Sequence, residues 1–253
     1  MELSSWLEQK REDVRRLATL DLRAITPTIK DFTHAVVTHK GPLAVIAEIT
    51  RATPEEGRFA DVIDPDSLVK VLDDAAVAAI AVPIDPIACF AQARDLTEVA
   101  SRTTTPVIAR DLVVSRQQVY LARLAGADAL LLTAAAAPAG ELKAMLEIAA
   151  SMHLAAPIEV RSEEELNTAV AVGARLAVVP AFRGPQLDLS LPRSLLPRFP
   201  RTLAAIVRGP FARPEDFAEL RGQADGIWLA GPLMQAADKA AFLSPLVEAA
   251  ENG

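Results

Sequence analysis

One cysteine, one tyrosine, two tryptophans and three histidines are spread over 253 residues, and aromatic residues make up only 4% of the chain. With Cys89 alone, no internal disulfide and no multi-thiolate site can form, which fits a reducing compartment. The histidines do no better for metal. His34 and His39 stand five apart without a carboxylate or thiol in ligand spacing, and His153 stands by itself. Neither a metal site nor a cofactor is expected. The first residues, Met-Glu-Leu-Ser-Ser-Trp, lack the basic and apolar regions of a signal peptide. The longest apolar run, Ala127 to Pro138, is broken by Asp128 and is too short to span a bilayer. A net charge of −7 offers no excess of Lys and Arg to nucleic acid or to an anionic membrane. Together these absences predict a cytoplasmic protein with no nucleic-acid or membrane partner.

What is present is a globular composition, 51% hydrophobic and 23% charged. With few aromatics, the core falls to Ala, Val, Leu and Ile, the residues that fill the layered interior of a closed parallel barrel. Three segments repeat one pattern of helix end, turn and short aliphatic run: Leu124–Leu132, Val172–Val179 and Arg221–Leu229. Gly126, Gly173 and Gly222 suit the left-handed position that ends a helix. They lie 47 and 49 residues apart, about two βα units each. The aliphatic runs are continuously apolar, as expected of strands buried on both faces.

Filling the intervals gives eight candidate strands, near Leu43–Ile49, Ala78–Val82, Pro106–Leu112, Ala129–Thr133, Pro157–Val160, Leu176–Pro180, Leu203–Arg208 and Ile227–Ala230. Helix-like stretches separate them, Ser162–Val172 being the clearest because of its capping serine and acidic first turn. Regular alternation means a parallel sheet, and eight units in this length favour a (β/α)8 TIM barrel, an α/β fold. No Gly-x-Gly-x-x-Gly follows the first strand, so a dinucleotide site has no support. Residues 1–40 are expected as a helical extension and 41–253 as the barrel, in one domain. Ser5-Trp-Leu-Glu8 has capping-box form, and Leu3, Trp6, Leu7, Val14 and Leu17 make an apolar stripe. Pro185–Pro200 reads as a long loop with an irregular helix. Asp128 and Asp225 open strands at the bottom face, where they would serve turns, and Cys89 reads as packing.

Function in such barrels sits at the C-terminal strand ends. In order these present Glu48 and Thr50, Asp85, Arg110 and Asp111, Thr133, Glu159, Pro180 and Phe182, Arg208 and Gly209, and Gly231. Glu48 and Glu159 each end an apolar strand, where burial can raise a carboxyl pKa and make it an acid or base. A structural ion pair with a neighbouring arginine is the alternative for each.

Here the residues become recognisable. Val45-Ile-Ala-Glu-Ile-Thr-Arg-Ala-Thr-Pro54 resembles the first-strand signature of the indole-3-glycerol-phosphate synthase family. Pro106–Leu132 is similar to its third strand and helix, Pro157–Leu166 to its fifth strand, and Trp228-Leu-Ala-Gly-Pro-Leu-Met234 to its eighth. The amino-terminal residues Leu7, Lys10, Arg11, Glu12 and Val14 fit the family's extension, so the resemblance runs end to end. It implies closure of an indole ring on a 1-(carboxyphenylamino)-1-deoxyribulose phosphate, with loss of carbon dioxide and water. It also implies a strand-3 lysine as proton donor, a strand-5 Glu as second acid/base, and a Glu–Lys pair on strand 1. An Asn and an Arg on strand 6 and a Ser on strand 7 would position substrate, and backbone amides near strands 7 and 8 would hold phosphate.

Glu48, Asp111, Glu159 and Gly209 match that pattern; the rest depart from it. The strand-1 lysine position is Thr50, followed by Arg51, and the strand-3 lysine position is Arg110. The strand-6 positions are Pro180 and Phe182, or Arg183 after a one-residue slip. The strand-7 serine position is Arg208, and the strand-8 Gly-Ser pair falls on Ala230-Gly231. Arginine stays charged near pH 7 and donates protons poorly. Pro180 offers neither side-chain amide nor backbone N–H, whereas Arg208 could grip an anion through two parallel bonds. Three readings follow: an altered synthase, with its ordinary lyase activity weak or lost; a barrel turned to another small anionic ligand, phosphorylated or carboxylated; and a non-catalytic partner of another enzyme. The assembly is expected as a monomer or homodimer.

Overall fold

The computed structural model describes residues 3–15, 25–60 and 63–252. Eight parallel strands close into a barrel: β1 (Ala44–Glu48), β2 (Ala79–Pro83), β3 (Val107–Arg110), β4 (Ala129–Thr133), β5 (Ile158–Glu159), β6 (Leu176–Pro180), β7 (Ala204–Gly209) and β8 (Gly226–Leu229). Each strand pairs with its sequence neighbours, and β1 closes the ring on β8 through Ala44–Gly226 to Ala47–Leu229. All eight expected strands are found: β4 and β6 with the expected bounds, β2, β7 and β8 shifted by one residue, and β1, β3 and β5 shortened by a residue or two at their ends. β5 keeps only the two residues that pair with both β4 and β6.

Strand residues alternate between two apolar environments. Val45, Ile80, Leu130, Val179 and Val207 face the helical shell, while Ile46, Ile108, Leu131, Val178, Ile206 and Trp228 fill the interior. Trp228 is fully buried there, so one indole supplies volume that several aliphatics would otherwise fill.

The helices are α1 (Leu3–Arg15), α2 (Phe32–Val37), α3 (Pro65–Asp74), α4 (Ala93–Ala100), α5 (Arg116–Leu124), α6 (Ala139–Ser151), α7 (Glu163–Ala171), α8 (Ser190–Leu195), α9 (Gly231–Gln235) and α10 (Lys239–Glu251). Ser162 caps α7 by accepting from the Glu165 amide, as its sequence suggested. Two short 3-10 turns, Pro214–Asp216 and Ala218–Leu220, stand where regular alternation predicts a helix after β7. The region 185–200 contains Gln186–Leu187, which pairs back on Phe182–Arg183, then α8 and a 3-10 turn.

Left-handed backbone follows four of the helices. Gly126 and Gly173 take it with φ of 103° and 86°, and Ala76 and His153 take the same position with φ of 54° and 57°. The repeat is therefore more regular in the backbone than in the letters.

The extension divides in two. Phe32 and Val36 of α2 plug the bottom of the barrel against Ala44, Ile46 and Trp228, while α1 lies at the opposite rim. Ser5 is inside α1 and does not cap it, because the helix begins at Leu3. Trp6 packs on Ala88, Cys89 and Ala91; Leu17 and the side chain of Leu3 lie outside the described residues. At the bottom, Asp128 and Asp225 tie strands together more than they serve turns. Asp128 accepts from the Val107 amide at 2.9 Å and Asp225 from the Ala205 amide at 2.7 Å.

Candidate active site

The inward-facing series on the strands ends in polar residues at the upper rim: after Ala44 and Ile46 comes Glu48, after Ile108 comes Arg110, and after Ile206 comes Arg208. These three and Glu159 are all at most 5% exposed. Glu48 has both oxygens engaged. Arg110 donates to Oε1 from Nε and Nη2 at 3.1 and 2.8 Å, and Trp228 donates its indole N–H to Oε2 at 2.8 Å. Arg110 Nη2 also lies 3.2 Å from the sulfur of Cys89. Burial opposes the guanidinium charge, but the Glu48 and Glu55 carboxylates around it hold its pKa above the ordinary arginine value. Cys89 itself is pushed up to about 12 by burial, with Arg110 pulling the other way, so it is a neutral thiol.

A second cluster centres on Arg208. Its Nη2 donates to Glu55 Oε1 at 2.7 Å and lies 3.5 Å from Glu159 Oε2. Its guanidinium carbon sits 4.8 Å from the Phe182 ring centroid, a cation–π contact. Arg161 in turn donates to Glu159 Oε1 at 3.0 Å. Burial works to raise the Glu55 pKa, but Arg208, Arg110 and Arg161 prevail and bring it down to about 2. Yet the pairing is incomplete: Nε and Nη1 of Arg208 and Oε2 of Glu55 are buried without a hydrogen-bond partner.

Glu55 arrives on a short antiparallel turn that follows β1, in which Ala52 and Thr53 pair with Arg58 and Gly57. Gly57 has φ of 79°, which glycine adopts without strain. The next residue, Glu56, accepts from the Gly231 amide and from Thr53 Oγ1, both at 3.1 Å. Burial raises its pKa, as do Glu48 and Glu55, against those two hydrogen bonds. The neighbouring Ala230 amide donates to the Gly209 carbonyl at 3.3 Å. Sequence reading did not single out Glu55 or Glu56. Their signal was two adjacent carboxylates in the first loop on the functional face.

Other candidates are held elsewhere. Arg51 is bound by both oxygens of Asp95 on α4, at 2.9 and 3.0 Å. Thr50 is buried, its hydroxyl donating to the Ala52 carbonyl at 2.6 Å. Arg183 is exposed and pairs with Asp188 at 2.7 Å, so Phe182 is the strand-6 residue beside Arg208. Asp111 does not join Glu48 and Arg110. It is clamped by an ion pair to Lys10 of α1, and accepts from Gln118 at 2.7 Å and from the Leu112 amide at 2.8 Å. Lys10 also bonds Asp85 at 2.9 Å, and Trp6 donates to Asp85 at 3.1 Å. Burial lifts the Asp111 pKa to about 6 despite Lys10. At Asp85 burial is outweighed by Lys10 and the Ala88 amide, and the pKa is lowered. Among the described residues no cluster of three or more His, Cys, Asp or Glu could hold a metal ion, and no helix is long and apolar enough to cross a membrane.

The chain matches the family model for indole-3-glycerol phosphate synthase over residues 2–246. The chain belongs to that family. It is 28% identical over 251 residues to indole-3-glycerol phosphate synthase of Chlorobium phaeovibrioides, covering 96% of this chain and 97% of the relative. To the Parafrankia sp. protein of the same name it is 31% identical, over 94% of this chain and 90% of the other. Among solved structures it is similar in fold to thiamine phosphate pyrophosphorylase from Pyrococcus furiosus, with a TM-score of 0.62 at 18% identity over 83% of this chain and 96% of that one. Family membership supports a lyase, ring-closing type of function.

Proposed function

We propose that this barrel performs the family's ring closure weakly or not at all. The observation that carries the reading is the Arg110–Glu48–Trp228 contact set. At the position where the family resemblance implies a proton-donating lysine stands a guanidinium that keeps its charge. Both oxygens of the strand-1 carboxylate already accept hydrogen bonds, one from Arg110 and the other from the indole. On strand 5, Glu159 keeps a carboxylate at the rim, but it too is engaged, by Arg161 and Arg208. Loss of a general acid typically lowers a rate by on the order of 10²–10⁴-fold. The test is a fluorescence assay of indole product formation from 1-(carboxyphenylamino)-1-deoxyribulose phosphate, alongside the C. phaeovibrioides relative. Turnover at least about 10²-fold below the relative is expected; turnover within a few-fold of it would refute the reading.

Arg208 favours a second reading, in which the mouth holds a small anionic ligand, phosphorylated or carboxylated. It is 2% exposed, yet two of its three nitrogens have no partner. A guanidinium meets a planar or tetrahedral oxyanion through two parallel bonds, and here it makes one strong bond only. Calorimetry with the same deoxyribulose phosphate tests this. Binding that is lost in Arg208→Met supports it, and absence of binding at millimolar ligand counts against it.

A further inference from the structure

The loop after β1 carries Glu55 and Glu56 onto two hydrogen-bond donors, the Arg208 guanidinium of β7 and the Gly231 amide just after β8. Glu55 sits on the Arg208 guanidinium at 2.7 Å, and Glu56 on the Gly231 amide at 3.1 Å. At Gly231 the fit is close: a Cβ there would lie within 2.6 Å of the Glu56 carboxyl carbon. The loop is anchored at its base, where Arg51 grips Asp95 and its carbonyl accepts from the Phe59 and Ala60 amides at 3.0 and 3.1 Å. Its tip, Gly57 and Arg58, is exposed. Seated this way, the loop brings the charged groups into balance. Glu48, Glu55 and Glu159 face Arg110, Arg161 and Arg208, each joined to at least one of the others by an ion pair. With Glu56 beside them on the same loop, the carboxylates at the rim are at least as many as the arginines, so the rim has no excess of positive charge to draw in a free anion until the loop leaves.

The pairing is nevertheless a poor one by the standards of a finished structural salt bridge. A permanent buried Arg–Glu pair gains most when both carboxylate oxygens and the guanidinium edge are used. Here Oε2 of Glu55 and Nε and Nη1 of Arg208 are left over.

We propose that the Arg51–Ala60 loop is an internal stand-in for ligand, a displaceable plug whose Glu55 and Glu56 occupy the mouth and must be evicted by an entering phosphate-type anion. The inference rests on the anion-holding reading of Arg208 and adds that the unliganded mouth is self-blocked. Its consequences do not depend on whether ring closure occurs.

The test measures binding of inorganic phosphate and pyrophosphate by calorimetry, with sodium chloride at matched ionic strength as control. It compares the unaltered protein, Glu55→Ala/Glu56→Ala, and the same double variant with Arg208→Met. The double variant is expected to bind at least about tenfold more tightly than the unaltered chain, a gain equal to about 1.4 kcal/mol; adding Arg208→Met should abolish it. If the double variant binds no more tightly, the plug is refuted. If no variant binds phosphate and the unaltered protein does not either, the anion reading of Arg208 fails with it. Should the double variant fold poorly, hydrogen exchange on the unaltered protein decides the matter. Amides of residues 51–60 should exchange faster at saturating pyrophosphate if the loop is displaced. Unchanged or slower exchange with ligand bound would overturn the proposal.

Discussion

Trp228 donates its indole N–H to Oε2 of Glu48 at 2.8 Å while Arg110 holds Oε1, so the interior tryptophan and the rim carboxylate form one buried unit. The contact joins strands that are neighbours in the closed barrel but 180 residues apart in the chain. Replacing Trp228 with Phe keeps much of the apolar volume and removes the donor, leaving Oε2 of Glu48 buried without a partner. An unsatisfied buried acceptor costs about 1–3 kcal/mol, more when charged. Urea denaturation of Trp228→Phe should show a loss of at least that size with an unchanged m-value. A loss below about 0.5 kcal/mol, the range of an ordinary surface substitution, would mean that the indole N–H is dispensable.

On the proposed reading, Arg110 stands where a proton-donating lysine is implied, and it keeps the charge but not the ability to titrate. Arg110→Lys, alone and with Thr50→Lys, should therefore raise indole product formation. If the missing proton donor is the main deficit, the gain should be on the order of 10²-fold for the double variant. Product fluorescence under saturating substrate measures it. No gain in either variant, with the fold intact by circular dichroism, would assign the deficit to Pro180 and Phe182 or to the seated Glu55.

The fold was legible because the barrel's demands are local. Gly126, Gly173 and Gly222 revealed the repeat, and burial on both faces made each strand a continuous apolar run. The same helix-end backbone at Ala76 and His153 was invisible, since alanine and histidine do not announce a left-handed φ. Glu48, Arg110, Glu159 and Arg208 could be read from strand ends because period-two alternation carries each inward. Glu55 could not. Its partner Arg208 lies 153 residues away, and the contact depends on how one short loop folds back over the rim. Arg51 and Asp111 looked like rim residues by adjacency, but their partners Asp95 and Lys10 come from helices outside the strand pattern. Trp228 read as part of a tail motif. Only its inward phase on β8 makes it a partner of Glu48.

Lys10 stands between two buried carboxylates, Asp85 and Asp111, and holds α1 on the rim. Removing one member of a buried ion pair costs about 3–5 kcal/mol. Lys10→Met should lose stability in that range at pH 8, and less at pH 5. The sign follows from Asp111. Its folded pKa of about 6 lies above the unfolded value near ~3.9, so the folded state binds more protons between the two. From this group, stability is fullest below about pH 4 and declines as pH rises through 6. Without the Lys10 charge, which lowers the Asp111 pKa, the carboxyl stays protonated to higher pH and the penalty above pH 6 grows. Denaturation curves at pH 5 and 8 for both proteins measure this; equal losses at the two values would contradict it.

Glu55 has the opposite sign. Its folded pKa of about 2 lies below an unfolded value near ~4.3, so the unfolded state takes up protons first on acidification. The stability it contributes is present above about pH 4.3 and is lost as pH falls toward 2. A difference of about two pKa units corresponds to about 3 kcal/mol. Glu55→Gln fills the same space without a titrating charge. The unaltered protein should therefore exceed the variant by about 3 kcal/mol more at pH 6 than near pH 2. Glu56 must be left in place for the comparison, because its raised pKa gives it a slope of the other sign. Urea denaturation across pH 2–6 reads the gap directly. A gap that does not change over that range would show that Arg208 does not hold Glu55 as an ion pair, and would remove the electrostatic basis of the seated loop.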